Sequence, residues 1–129
     1  MKRFISIILG LGAIAFISIA SLQADNDVVS ISVNPTKIHL KGIYSEENQQ
    51  AQKGVHVTGE FSDGVKRDIT LDSNIKYISR DESIAYIARE NLDSAFDWIL
   101  VRGKKEGATS VIVKMGNVSE EIPVIIEYN

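Results

Sequence analysis

A chain of 129 residues with 17 acidic against 14 basic side chains and no cysteine has room for one domain and carries a formal charge of −3. That balance excludes the clustered Lys and Arg with which a nucleic-acid binder meets phosphates, so nucleic acid is not an expected partner. The lack of cysteine excludes a disulfide framework and a lipid-accepting cysteine beside an apolar run.

The chain begins "MKR", continues as the uncharged "FISIILGLGAIAFISIASL" and then turns polar at "QADND". A basic start, an apolar stretch and small residues before a polar segment are the layout of a secretory signal peptide. Cleavage is expected after Ala24, with Leu22 at the −3 position, although Ser18 and Ala20 allow an earlier cut. Phe4 to Leu22 is also 19 residues long, so an uncleaved anchor is the competing reading, because a spanning helix takes roughly 17 to 25. Two glycines, three serines and the small residues near Ala24 favour cleavage. Either way the remainder is exported, to the periplasm, the cell surface or the medium, and membrane contact is expected solely through this segment if it is retained. Residues 1–24 are read as the signal peptide and 25–129 as the folded domain; without Lys2 and Arg3 the mature part has twelve basic against seventeen acidic residues.

In the mature part, short β-branched runs are separated by turn residues. "VVSISV" (28–33) is stopped by Asn34-Pro35, and "KIHLK" (37–41) alternates before Gly42. "GVHVTGEF" (54–61) and "VKRDITL" (65–71) flank Ser62-Asp63-Gly64, while "IKYIS" (75–79) and "SIAYIA" (83–88) flank Arg80-Asp81-Glu82. "WILVRG" (98–103), "TSVIVKM" (109–115) and "VSEEIPVII" (118–126) follow, the last two joined by Gly116-Asn117. This pattern predicts an all-β sandwich or barrel. Pro123 inside the last run predicts an open side there, since proline cannot donate to a ladder.

The "FSDGVKRDIT" hairpin (61–70) tests register. A two-residue Asp63-Gly64 loop would set Phe61 opposite Lys66 and mix apolar with polar side chains. A three-residue Ser62-Asp63-Gly64 loop instead pairs Phe61 with Val65, Val57 with Ile69 and Val55 with Leu71 on one face. Glu60 then meets Lys66, Thr58 meets Asp68 and His56 meets Thr70 on the other. Such a loop is a type I turn ending in the left-handed region, where glycine avoids a steric penalty, and Gly64 stands there. Arg67 falls opposite Gly59 on the apolar face; the glycine is expected to leave room for its stem and the guanidinium to escape at the rim.

These residues resemble the group 2 bacterial immunoglobulin-like domain of invasin- and intimin-type surface proteins. "VVSISVNPTKIHLK" looks like that family's first strand, its Pro-Thr kink and its second strand, and "FSDGVKRDIT" is similar to its aromatic-Ser-Asp-Gly turn. "YISRDESIAYI" resembles the segment leading into a Ser-Val-Ala-x-Val strand, with Tyr77 where Trp is usual. "GKKEGATSVIVKMGNVSEEIPVII" looks like the closing hairpin. The match runs from residue 28 to 126. It implies an immunoglobulin-type β-sandwich used as a spacer, an adhesive unit or an accessory module of exported proteins. The chain departs from the family at "IYSEENQQAQK", within the 42–53 loop, and at "RENLDSAFDW" (89–98), both longer than the family's loops.

Candidate sites are few. His39 and His56 fall at alternating strand positions and read as surface histidines, too few for a zinc site. Asp63, Asp68 and Asp72 lack the EF-hand spacing, and turn and strand-edge roles explain them; no metal and no cofactor is expected. The adjacent pairs Asp81-Glu82 and Glu120-Glu121 diverge in a strand and form no glycosidase couple. No phosphate loop, nucleophile elbow or Cys-His pair occurs, so the chain is not expected to be an enzyme. Phe96 and Trp98, beside Asp93 and Asp97, form the one binding candidate, because aromatic-plus-acid surfaces stack on sugars or anchor peptides. Their alternating spacing equally fits a strand start with both rings in the core, which is the favoured reading. The expectation is thus an exported, non-catalytic domain that binds an envelope or surface protein or a glycan, or else serves as a structural or assembly accessory.

Overall fold

The computed structural model describes residues 27–92 and 95–128, and all regular structure among them is β-strand. The expected signal helix and its cleavage site at Ala24 lie outside the described residues. The strands are β1 (Val28–Asn34), β2 (Ile38–Lys41), β3 (Gln52–Gly54), β4 (His56–Phe61), β5 (Lys66–Asp68), β6 (Ile75–Ser79), β7 (Ala85–Glu90), β8 (Trp98–Gly103), β9 (Gly107–Met115) and β10 (Val118–Glu127).

They form sheets of order β1-β4-β5, β3-β8-β7 and β2-β10-β9-β6. β3 and β4 are pieces of one run interrupted at Val55, whose N–H still donates to the Ile99 carbonyl at 2.9 Å. The run passes from pairing with β8 to pairing with β1 and β5, so the two three-stranded sheets share it. All pairing is antiparallel except that β2 joins β10 in parallel.

One core lies beneath all three sheets, and strand alternation builds it. In β10, Ile122, Val124 and Ile126 are buried while Glu121, Pro123 and Ile125 face out. β9 contributes Val111 and Val113, β8 Ile99 and Val101, and the β1–β4 pair Ile31 and Val57, all in one cluster. Each such side chain contributes roughly 1.5–3 kcal/mol when fully removed from water. β10 pairs with β9 along its length, but β2 joins it from Val124 onward, so Pro123 sits where the other edge is free of ladder pairing among the described residues.

The 61–70 hairpin has the three-residue loop. Phe61 N donates to Val65 O at 3.0 Å, Gly64 N donates to Phe61 O at 2.8 Å, and Gly64 adopts φ +82°. Glu60 faces Lys66, Gly59 faces Arg67 and Thr58 faces Asp68. Two expectations need correction. Val55 does not meet Leu71: β8 takes that edge of Val55, and after Ile69 the chain leaves the ladder, with the Thr70 hydroxyl accepting from Val57 N at 2.8 Å. Nor does His56 pair with Thr70, which lies beyond the last ladder bond, from Ile69 N to Val57 O. Arg67, opposite Gly59, lies over the Phe61 ring and pairs with Asp63 while its guanidinium stays solvated.

The long loop after β2 is held down on the outer face. Tyr44 N donates to Gly103 O at 2.9 Å, Gly103 N donates to Ala51 O at 3.1 Å, and Ala51 is fully buried. The Arg102 guanidinium stacks 3.9 Å from the Tyr44 ring centre and donates from Nε to Gln52 and from Nη1 to Glu90, both at 2.8 Å.

Candidate functional site

Alternation in β8 sends Ile99 and Val101 into the core, and therefore turns Trp98, Leu100 and Arg102 to the opposite face of the sheet. Trp98 lies there against Gly54, where an added Cβ would come within 3.1 Å of the indole Cε3, so glycine provides the room for the ring. His56, at the start of β4, meets the indole edge-on with ring centres 5.6 Å apart. Phe96 stacks on Trp98 at 5.4 Å and 28° between planes, within the offset-stacked range. Phe96 remains 47% exposed and Trp98 half-buried, and neither belongs to the core cluster. The favoured expectation that both rings pack into the core is therefore corrected: β8 begins one residue out of phase for that.

The departure of the chain at Thr70 completes a pocket of about 450 Å³, with His56, Asp68, Leu71, Asp72, Phe96 and Trp98 among its lining. Local turn chemistry sets these positions. Asp68 Oδ1 accepts from Thr70 N at 2.9 Å, Asp72 Oδ1 accepts from Asn74 N at 2.8 Å, and Asp72 N donates to Ile69 O at 3.0 Å. The Tyr77 hydroxyl donates to Thr70 O at 2.7 Å and anchors the bend from below, while burial pushes the Tyr77 phenol well above its ordinary range. Hydrogen bonds from Thr70 hold the Asp68 carboxyl below its usual value, so it is ionised at neutral pH.

Of the expected site residues, Phe96, Asp97 and Trp98 come together in this pocket, and Asp93 lies outside the described residues. Asp97 is bound to Arg89 Nε at 2.9 Å. His56, Asp68, Thr70, Leu71 and Asp72 belong to the pocket without being expected as binding residues; the cross-strand placing of Thr58 opposite Asp68 is the one sequence signal that sets Asp68 on the outer face near them. His39 lies elsewhere, 3.0 Å from Glu127. Among the described residues no group of three or more His, Cys, Asp or Glu side chains is arranged to hold a metal.

No protein-family model and no curated protein matches the chain. Solved structures do. The S-layer protein SbsC, domains 4–9, is 18% identical with a TM-score of 0.60 over 81% of this chain and 15% of that one. SbsC domains 4 and 5 are 18% identical with a TM-score of 0.58 over 79% of this chain and 53% of that one. SbsC domains 5–6 give 19% and 0.58 over 78% and 44%. This chain thus spans about half or less of each, and at such identity the likeness is one of fold.

Proposed function

We propose that this chain is an exported, non-catalytic immunoglobulin-like module of the bacterial cell envelope or surface that binds a protein or glycan partner. The observation that carries the reading is the stacked Phe96–Trp98 pair, presented on the outer face of a sheet within a carboxylate-lined pocket. Phe96, 47% exposed and stacked on a half-buried tryptophan outside the core, leaves an aromatic face for another molecule to cover.

The strand order supports the immunoglobulin-type sandwich. β1, the β3–β4 run, β8 and β7 follow one another as the A, B, E and D strands of such a fold do, and β10, β9 and β6 as G, F and C. The matched solved structures are domains of a surface-layer protein, which agrees with a place at the cell surface and also favours a second reading, a structural or assembly accessory without a small ligand.

Capture of partners from an envelope extract by the immobilised protein, with crosslinking, separates the two. The binding reading expects one protein or sugar polymer at stoichiometric yield, lost with Phe96→Ala. Recovery of nothing, or a yield unchanged by that substitution, favours the structural reading.

A further inference from the structure

The carboxylates of the pocket are not equivalent, and their differences narrow what it can hold; the inference rests on reading the pocket as a partner site. Asp97 is engaged on both oxygens, Oδ2 by Arg89 and Oδ1 by Asn91 at 3.4 Å. The Thr70 hydroxyl accepts from Val57 N, lies 3.4 Å from Val57 O and also bonds to the Asp68 carboxyl. Asp68 and Asp72 each commit Oδ1 to a backbone N–H two residues on, and neither belongs to an ion pair among the described residues. What remains for a visitor is two carboxylates without an ion-pair partner among the described residues and one imidazole, beside an apolar wall that includes Leu71 and Phe96.

We infer that the pocket receives a cationic side chain, lysine or arginine, of a partner protein, its aliphatic stem along Leu71 and Phe96 and its charged head at Asp68 and Asp72. The head groups of both residues donate hydrogen bonds and accept none, which matches oxygens that accept and cannot donate. The open face of Phe96 attracts a cation within about 6 Å of its centre. A pyranose presents hydroxyls that need several partners each, and with Thr70 and Asp97 already engaged the pocket leaves most of them unmatched. The acidic balance of the whole chain favours approach of a positively charged partner.

Trp98 is the single tryptophan of the chain, so its fluorescence reports on the pocket. The purified protein is titrated at constant ionic strength with the Nα-acetyl methylamides of lysine, arginine and norleucine, and with glucosamine and N-acetylglucosamine. A saturable response to the lysine or arginine compound is expected, with norleucine at least about fivefold weaker because it keeps the stem and lacks the charge. The double variant Asp68→Asn/Asp72→Asn retains Oδ1 for both turns; it is expected to weaken the cationic ligand about fivefold while still unfolding cooperatively, at a slightly lower urea midpoint. Equal binding of norleucine, glucosamine binding as tightly as lysine, or no saturable response each overturns the inference. A sugar response would leave the binding-module reading standing, whereas that reading fails on its own capture experiment.

Discussion

Arg67 lies across Phe61, its guanidinium carbon 4.6 Å from the ring centre, while its Nη2 holds Asp63 at 2.8 Å. The charges of "FSDGVKRDIT" thereby resolve into a turn and its fastening. Asp63 Oδ1 accepts from Val65 N at 3.0 Å, Arg67 takes Oδ2, and Lys66 and Asp68 lie on the opposite, outward face. Both Asp63 and Arg67 are solvated, so their pair adds little to stability.

Glycine at position 64 matters more than that ion pair. A Cβ there meets nothing within 4 Å, so Gly64→Ala tests conformation alone at φ +82°. It is expected to lower stability by about 1–2 kcal/mol. Asp63→Asn, which keeps the acceptor for Val65, is expected to leave the urea midpoint nearly unchanged. Equal midpoints for the two variants would refute the assignment of the turn to its glycine.

Where local rules decide, the residues were legible. The β-branched runs gave β6 and β8 their bounds as observed, and the sorting of faces gave the hairpin register up to Val57–Ile69. Legibility ended where strands compete. Val55 has one free edge, and whether Leu71 or Ile99 occupies it depends on β8 folding back from more than forty residues away, which no local pattern encodes. The pocket exists because β8 wins: the chain then turns off at Thr70 and carries Leu71 and Asp72 to the outer face beside Phe96 and Trp98. The aromatic half of the site was visible in sequence, while its acidic half required that outcome.

Trp98 has a buried indole N–H with no acceptor among the described residues, a group whose desolvation costs about 1–3 kcal/mol. Trp98→Phe removes that cost along with part of the ring's contact, so its urea midpoint is expected to stay close to wild type. Trp98→Ala also uncovers His56 and the floor at Gly54, and is expected to lose about 2–3 kcal/mol while still unfolding in one cooperative step, since the ring lies outside the core cluster. Loss of cooperative folding in the alanine variant would place the ring back in the core.

Acid should loosen the protein through carboxylates held below their ordinary values. Glu121 accepts from Arg80 Nε at 2.8 Å and from the Ser110 hydroxyl, and these bonds keep its carboxyl below 4.5; Asp68 and Asp81 are likewise held below 3.8 by hydrogen bonds. A depressed value in the folded state means the unfolded chain binds more protons, so this stability is fully present above the unfolded value and is lost as the pH falls through the folded one. The urea midpoint is therefore expected to drop progressively below about pH 4.5, and Glu121→Gln to drop less steeply than wild type. Parallel pH profiles for the two proteins would show that the Arg80–Glu121–Ser110 contact contributes nothing to the acid response.

The loop after β2 is pinned by Arg102, a residue only 5% exposed. Its Nη1 and Nε are satisfied by Glu90 and Gln52, its face is covered by Tyr44, and its Nη2 has no partner among the described residues. A buried ion in that state does less for stability than its packing does, since an apolar residue of similar length fills the same space without a desolvation cost. Arg102→Met is accordingly expected to unfold within about 1 kcal/mol of wild type. Arg102→Ala leaves Tyr44 over an empty space and is expected to cost about 2–4 kcal/mol, with faster amide exchange at Tyr44 and Ala51 as the loop lifts. If methionine proves as damaging as alanine, the bonds to Glu90 and Gln52 hold the loop, and the stem of Arg102 does not.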